Sequence, residues 1–441
     1  MKHAYFVSII LVLMVLTACN TPVSPVQVPS GQVPSVAGTD ITSVIQNWVK
    51  TSVNVPYKDV RIKTLKQDDA FATVEVRALL RKSPDTDWDE HVAIIELKKV
   101  GREWRIDKAG RFISPAAEAT ATAVAFSKAV KSADLYGVFM LSASEGLAVG
   151  RLAGDIGCAI LQYKNGAWRG VRLPSNVCSA GSTLYDVWMV SQNEGWAVGY
   201  KKESEQVVSP IILHYLNGAW QTVPTPTDVS MSDLSMVSRD EGWAVGLKRD
   251  WSKGGKTTSV IQHYRNGKWE VESVFNDLDI TDIFMLSPDE GWAVGAYDSP
   301  NETYDIALRY SKGKWELKRL SGARIYLTAL HMTSPSDGWA VGLFGVRRYR
   351  NGDWENVDLG LGPLYAIHMA SSAEGWAVGT DRLNHYFAHY SNGKWERVPT
   401  PNNAAISSTF MLSPSEGWAV GGGGVILYYR NGAWTPKNID E

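Results

Sequence analysis

From residue 134 onward, apolar and polar residues alternate with a period of two in short runs, the signature of half-buried β-strands, and glycines interrupt the runs at regular intervals. Two motifs keep the beat. Glu/Asp-Gly-Trp-Ala-Val-Gly, with Leu147 in place of Trp in the first copy, puts its first glycine at 146, 195, 242, 291, 338, 375 and 417. Asn-Gly-x-Trp, with Lys312 once in place of Asn, ends on Trp168, Trp220, Trp269, Trp315, Trp354, Trp395 and Trp434. The two alternate strictly. Each unit opens on a strand containing Met (140, 189, 236, 285, 332, 369, 411) with Ser two residues later. A unit therefore reads as four strands: the Met strand, a tight turn, Trp-Ala-Val-Gly, a connection of variable length, a third strand, an Asn-Gly type I′ hairpin, and a fourth strand beginning at Trp. Successive motif glycines lie 37 to 49 residues apart, the length of a four-stranded propeller blade. A mainly β fold is predicted, a seven-bladed β-propeller over residues 134–437, whose closure hides most sheet edges.

Before the repeat the pattern changes. Residues 39–115 combine one helix to about Val53, capped by Thr39 or Thr42 and apolar on Ile41, Val44, Ile45 and Trp48, with strands over 60–65, 70–81, 91–100 and 103–106. This predicts a small α+β domain; a decayed blade is the competing reading, since Gly101-Arg102-Glu103-Trp104 echoes the repeat. Residues 116–133 form an Ala- and Thr-rich linker, as a helix or a strand. Residues 19–38, rich in Pro, Val, Ser and Gly, read as a flexible tether. Residues 1–18 read as a signal peptide: a Lys2-His3 start, then an apolar run from Ala4 to Leu16 that is too short to span a membrane.

Composition narrows the function. Lys plus Arg number 44 against 46 Asp plus Glu, without the basic excess of a nucleic-acid binder. Thirteen of the 18 tryptophans sit in the two motifs. They are assigned to packing between blades, each burying about 200 Å², and the Met row is assigned to the innermost strands. Outside the cytosol Cys158 and Cys178 have the chance to form a disulfide. In hairpin register, however, Cys158 faces a residue near Leu173, so two free buried thiols remain the alternative.

Leu16-Thr17-Ala18-Cys19 resembles the lipobox of bacterial lipoproteins, which implies that Cys19 carries the lipid and that the protein sits on the extracytoplasmic side of a membrane. The repeat resembles seven-bladed propellers of the photosystem II assembly-factor kind and, more loosely, sialidase-type (BNR-like) and kelch-like repeats. Sialidase-type repeats carry Ser-x-Asp before the turn; this chain has no such Asp, which weighs against sialidase chemistry. Residues 39–115 weakly resemble cystatin-like (nuclear transport factor 2-like) modules.

No metal-ligand spacing, nucleophile elbow or phosphate loop occurs, and no cofactor is expected. His214, His263 and His389 each precede a Tyr in strand three, and His331 and His368 replace aromatic residues before Met; repetition at one position points to structure. The motif acids are expected to accept backbone hydrogen bonds in their turns. Recognition is expected on the face formed by the strand-two-to-three connections and the entries to strand one, since loops on a rigid scaffold carry binding. Its candidate residues are Arg249 and Trp251 in blade 3, Tyr297 and Tyr304 in blade 4, Arg382, His385 and Tyr386 in blade 6, and Tyr136, Tyr185 and Tyr365 at strand-one entries, with Asp186, Asp233 and Asp282 beside them. The expected function is monomeric, non-enzymatic binding of a protein or carbohydrate at the cell envelope, assisting assembly of an envelope complex. The alternative is a carbohydrate-active hydrolase or lyase acting at the propeller mouth.

Overall fold

Phe71–Leu80 shows how directly the pattern becomes structure: Ala72, Val74, Val76, Ala78 and Leu80 are buried, while the residues between them are not. The computed structural model describes residues 37–38, 40–52, 57–80, 89–100, 102–109, 115–204, 207–250, 256–299, 302–357, 359–381 and 384–440. The expected signal peptide, Cys19 and nearly all of the tether lie outside these residues, as do Trp251 and Arg382. The chain folds as two units, divided between Val124 and Ala125.

In the first unit, β1 (Ala37–Gly38), β2 (Tyr57–Gln67), β3 (Phe71–Leu80), β4 (Asp89–Val100) and β5 (Glu103–Ala109) form an antiparallel sheet ordered β1-β5-β4-β3-β2. Helix α1 (Ile41–Ser52) buries Ile41, Val44, Ile45, Trp48 and Val49 against it. Asp40, rather than either threonine, caps the helix: its carboxylate accepts the Ser43 N–H at 3.0 Å, the N3 bond that a capping side chain makes. Helix α2 (Pro115–Lys131) occupies the expected linker, and its last residues, with Ala129 and Val130, enter the propeller core.

The second unit is a ring of seven antiparallel sheets, over 134–170, 182–222, 230–276, 278–319, 327–357, 364–399 and 406–436 (blades 1 to 7). In all seven Asn-Gly-type turns the first residue has a φ between 50° and 56° and the glycine between 77° and 92°, the conformation that a type I′ hairpin demands. The glycines of Gly-Trp-Ala-Val-Gly have steric causes. A Cβ on Gly195 would lie 2.2 Å from the Met189 sulfur, and one on Gly199 would lie 2.0 Å from the Thr183 carbonyl oxygen, where a β-bulge brings the inner strand close. Met and motif glycine thus select each other in every blade.

The two tryptophans join neighbouring blades. In five of the seven junctions the strand-two Trp of one blade meets the strand-four Trp of the next edge-on: Trp196 with Trp269, Trp292 with Trp354, Trp339 with Trp395, Trp376 with Trp434, and Trp418 with Trp168, at centroid distances of 5.3–5.9 Å. The last pair joins blade 7 to blade 1. Between blades 3 and 4, Trp243 and Trp315 instead both donate their indole N–H to Glu272, at 3.0 and 2.7 Å. Leu147, replacing Trp, shares a core with Trp220. Each strand-two Trp also lies against a strand-three side chain of its own blade: His214, His263 or His389 stacked at 3.9–4.0 Å, Arg309 or Arg348 over the ring, or Tyr428. The motif acid holds that side chain in place: Glu194 on His214 and Glu241 on His263 at 3.2 Å, Glu374 on His389, Glu290 on Arg309 at 2.7 Å, Asp337 on Arg348 and Glu416 on Tyr428. The acids therefore clamp side chains across two strands instead of serving as backbone acceptors in their turns.

At closure blade 1 keeps its four consecutive strands and gains a short one from the far end of the repeat region. Ile439–Asp440 adds a parallel fifth strand beside Ala167–Gly170 of blade 1, and buried Ile439 joins Trp168, Val130 and Trp418 in the seam core. Burial of one large aliphatic side chain contributes about 1.5–3 kcal/mol. Ile439→Ser is therefore expected to lower the unfolding free energy by about that amount, read as a lower urea midpoint; an unchanged midpoint would show that the strand is dispensable to closure.

Candidate functional site

The innermost strands are Asp134–Ser142, Ser182–Ser191, Ser230–Met236, Leu278–Ser287, Leu327–Ser334, Leu364–Ser371 and Ile406–Ser413. Each carries a β-bulge near its start, so one extra residue turns toward the mouth of the channel: Tyr136, Tyr185, Ser232, Thr281, Thr328, Tyr365 and Ser407. All seven line a cavity of about 370 Å³. Tyr136 and Tyr185 lie 5.6 Å apart, as do Tyr185 and Tyr200. Burial raises the ionisation of the Tyr136 and Tyr185 hydroxyls, so both are neutral donors at physiological pH.

The next inward position holds Gly137, Asp186, Asp233, Asp282, Ala329, Ala366 and Ser408. Three adjacent blades thus place carboxyls on one arc of the wall, and small residues line the rest. Each carboxylate accepts the backbone N–H of the following blade: Asp186 from Leu234 at 3.3 Å, Asp233 from Ile283 at 2.8 Å and Asp282 from Leu330 at 2.9 Å. Asp233 is also hydrogen-bonded to both of its acidic neighbours. Among the described residues no Lys or Arg lines the cavity. Burial raises all three carboxyls, Asp186 to about 6 and Asp233 well above the usual range, where the neighbouring charges push it further. Protons are therefore held within the row near neutral pH.

Deeper still, six rings form a chain of contacts along the wall: Phe139 touches Trp188 and Phe410, His368 touches Phe410 and His331, and His331 touches Phe284, with centroids 4.3–5.2 Å apart. Burial lowers His331 to about 4 and His368 well below its usual value. Neutral His368 accepts the Met411 N–H at Nδ1, 3.2 Å away. The two imidazoles stand in for phenyl rings, so all six rings line one aromatic cup.

The other expected contact residues are placed differently. Tyr386 is fully buried and donates its hydroxyl to the Gly362 carbonyl at 2.8 Å, which removes it from the surface a ligand touches. Tyr297 and Tyr304 pair across a hairpin, stacked at 4.8 Å, with Arg319 over Tyr304. Arg249 continues strand two of blade 3 and pairs with Asp279 at 3.0 Å. The His385 N–H binds Asn403 at 2.7 Å. The described ends of these connections continue their hairpins as paired strands. Cys158 and Cys178 form a disulfide with Cα atoms 5.9 Å apart. The fourth strand ends at Gly170, and a turn at Pro174 carries Cys178 back, which a straight-strand register does not anticipate.

The pattern reading passed over an apolar edge on the same face. Phe344 is 68% exposed in the tight connection of blade 5 and meets Tyr326, itself 40% exposed, edge-on at 5.4 Å. Two apolar residues, Leu343 and Phe344, in a two-residue hairpin are the signal that was available, because such turns are ordinarily polar.

Among the described residues no group of three or more His, Cys, Asp or Glu is placed to hold a metal ion, and no helix is long and apolar enough to cross a membrane. No family model and no curated protein matches the chain. Solved structures do. YCF48 bound to D1 peptide matches with a TM-score of 0.51 at 15% identity over 68% of this chain and 93% of that one. A streptogramin B lyase matches with a TM-score of 0.49 at 13% identity over 66% and 91%. Virginiamycin B lyase from Staphylococcus aureus matches with a TM-score of 0.45 at 12% identity over 66% and 92%. The likeness to YCF48 shows a shared β-propeller fold; the two lyases, below 0.5, add nothing to it.

The carboxyl and imidazole tiers pull stability in opposite directions with pH. An acid raised in the folded state favours folding below its unfolded value near 3.8 and loses that contribution as pH rises through its folded value; for Asp186 the window runs to about 6. A lowered histidine favours folding above 6.5 and loses that contribution as pH falls toward about 4. Asp233→Asn is therefore expected to gain stability relative to the parent as pH rises from 5 to 8. His331→Phe is expected to gain it as pH falls, by about 1–2 kcal/mol at pH 5. Thermal melts across pH test both signs; parallel curves for parent and variant would contradict them.

Proposed function

We propose that the propeller is a protein-binding module, held on the extracytoplasmic side of the membrane through Cys19, and that it recognises its partner on the face around the cup. The observation that carries this reading is the chain of six rings lining the cup beneath a rim of tyrosines, which makes the site strongly aromatic. Exposed aromatic residues favour protein contacts because they bury large areas with few rotors to immobilise.

The carboxyl row does not resemble the pair used for sugar hydrolysis. Such pairs stand about 5–10 Å apart on either side of a glycosidic bond, whereas neighbouring carboxyls here are hydrogen-bonded to one another. Binding is therefore favoured over carbohydrate chemistry. YCF48, the propeller with the shared fold, was solved with a peptide bound, which supports the same reading by analogy. Help in assembling an envelope complex fits a rigid module with one recognition face. The disulfide supports an oxidising compartment.

Two measurements test this. Site-specific photo-crosslinking in the native membrane is expected to capture a protein from Tyr365 or Phe344, on the cup face, and not from Asn217 or Asn392, in the hairpin turns at the opposite end of the blades. Adducts confined to the turns would overturn the assignment of the face. Cys19→Ala is expected to abolish incorporation of radiolabelled palmitate and to release the protein into the soluble fraction; labelling that persists in the variant would refute the anchor.

A further inference from the structure

An apolar groove of about 460 Å³ lies between blades 5 and 6, walled by Ile325, Phe344, Val357, Leu359, Leu361 and Leu364. Its volume is that of a ligand site, and exposed Phe344 stands at its lip beside Tyr326. The groove and the cup share a wall: Leu364 lines the groove, and the next residue, Tyr365, lines the cup and is 39% exposed. Alternate residues of a strand point to opposite sides, so one strand serves both. The far side of the cup presents Asp186, Asp233 and Asp282 with no Lys or Arg among the described lining residues, while the near side carries only the small side chains of Ala329, Ala366 and Ser408.

Charge complementarity then selects the occupant. We propose that this face takes an extended polypeptide segment that seats an apolar side chain in the blade 5–6 groove and passes a lysine over Tyr365 into the cup, against the three aspartates. Lysine suits the site better than arginine: its ammonium is a compact point charge with three donors on a flexible stem, and the carboxyls form an arc rather than a planar fork. Aromatic rings at rim and wall add cation–π attraction. This identification of the partner's chemistry rests on the protein-binding reading above.

The test pans full-length protein against a library of random dodecapeptides displayed on beads. Selected sequences are expected to pair Lys with Leu, Ile or Phe within a few residues. Asp186→Asn and Asp282→Asn keep the backbone acceptor and the shape; together they are expected to weaken a selected peptide about tenfold or more and to erase the advantage of Lys over norleucine at that position. Phe344→Ser, on an exposed turn where folding is not at stake, is expected to weaken the same peptide while leaving the Lys advantage intact. Peptides that bind on the cup face, as judged by crosslinking to Tyr365, but show no preference for Lys over norleucine would overturn this inference and leave the binding face standing. Selected peptides that crosslink only at the hairpin turns would overturn both.

Discussion

The edge-to-face contact between a strand-two Trp and the strand-four Trp of the next blade is what the rest of this protein depends on. Each ring removes about 200 Å² from water, an upper estimate of about 5 kcal/mol in transfer free energy. The contact recurs around the ring and reaches across the seam from Trp418 to Trp168. Ten of the indole N–H groups, among them those of Trp196, Trp292 and Trp376, find no acceptor in the structure. Area and ring geometry, rather than hydrogen bonding, therefore explain why tryptophan occupies these positions. The acid-held His, Arg or Tyr on the other face fixes each ring's orientation.

With the blades fixed from outside, the innermost strands are relieved of packing duty on their lumen side. Positions that would otherwise be apolar carry Asp, Ser, Thr and Tyr there, and the bulge at each strand entry aims one more side chain at the mouth. The carboxyl row costs stability as pH rises, and the buried imidazoles cost stability as it falls. A scaffold with a large surplus of buried aromatic area tolerates both. Buried polar groups held at such cost are where recognition is to be sought.

How much of this was legible in the sequence follows from what each feature rests on. The blades rest on periods, on turn chemistry and on glycines that a Met or a bulge requires, all of them local, so blade number and strand order could be read directly. The aromatic wall of the cup was partly readable, because His331 and His368 occupy a position held elsewhere by Phe or Trp. The sharing of protons among Asp186, Asp233 and Asp282 was not. They lie 47 and 49 residues apart, and only closure of the ring makes them neighbours. Tyr386 looked like a loop residue because its strand runs further than propensity suggested, and burial then tied its hydroxyl to a neighbouring turn. The role of the motif acids was misread for a related reason: their partners lie on a different strand, 11 to 22 residues away.

Blade 1 and blade 7 each contain four consecutive strands, and across the seam Ile439–Asp440 adds a short fifth strand to blade 1. This has a genealogical consequence. A propeller that closes by splitting one sheet between its termini has to rebuild that sheet whenever a unit is duplicated or deleted. Here the four strands of every unit are consecutive in the sequence, so whole units can be added or lost in tandem while the join stays the same. The near-identical motifs at all seven positions are the record that such a history would leave.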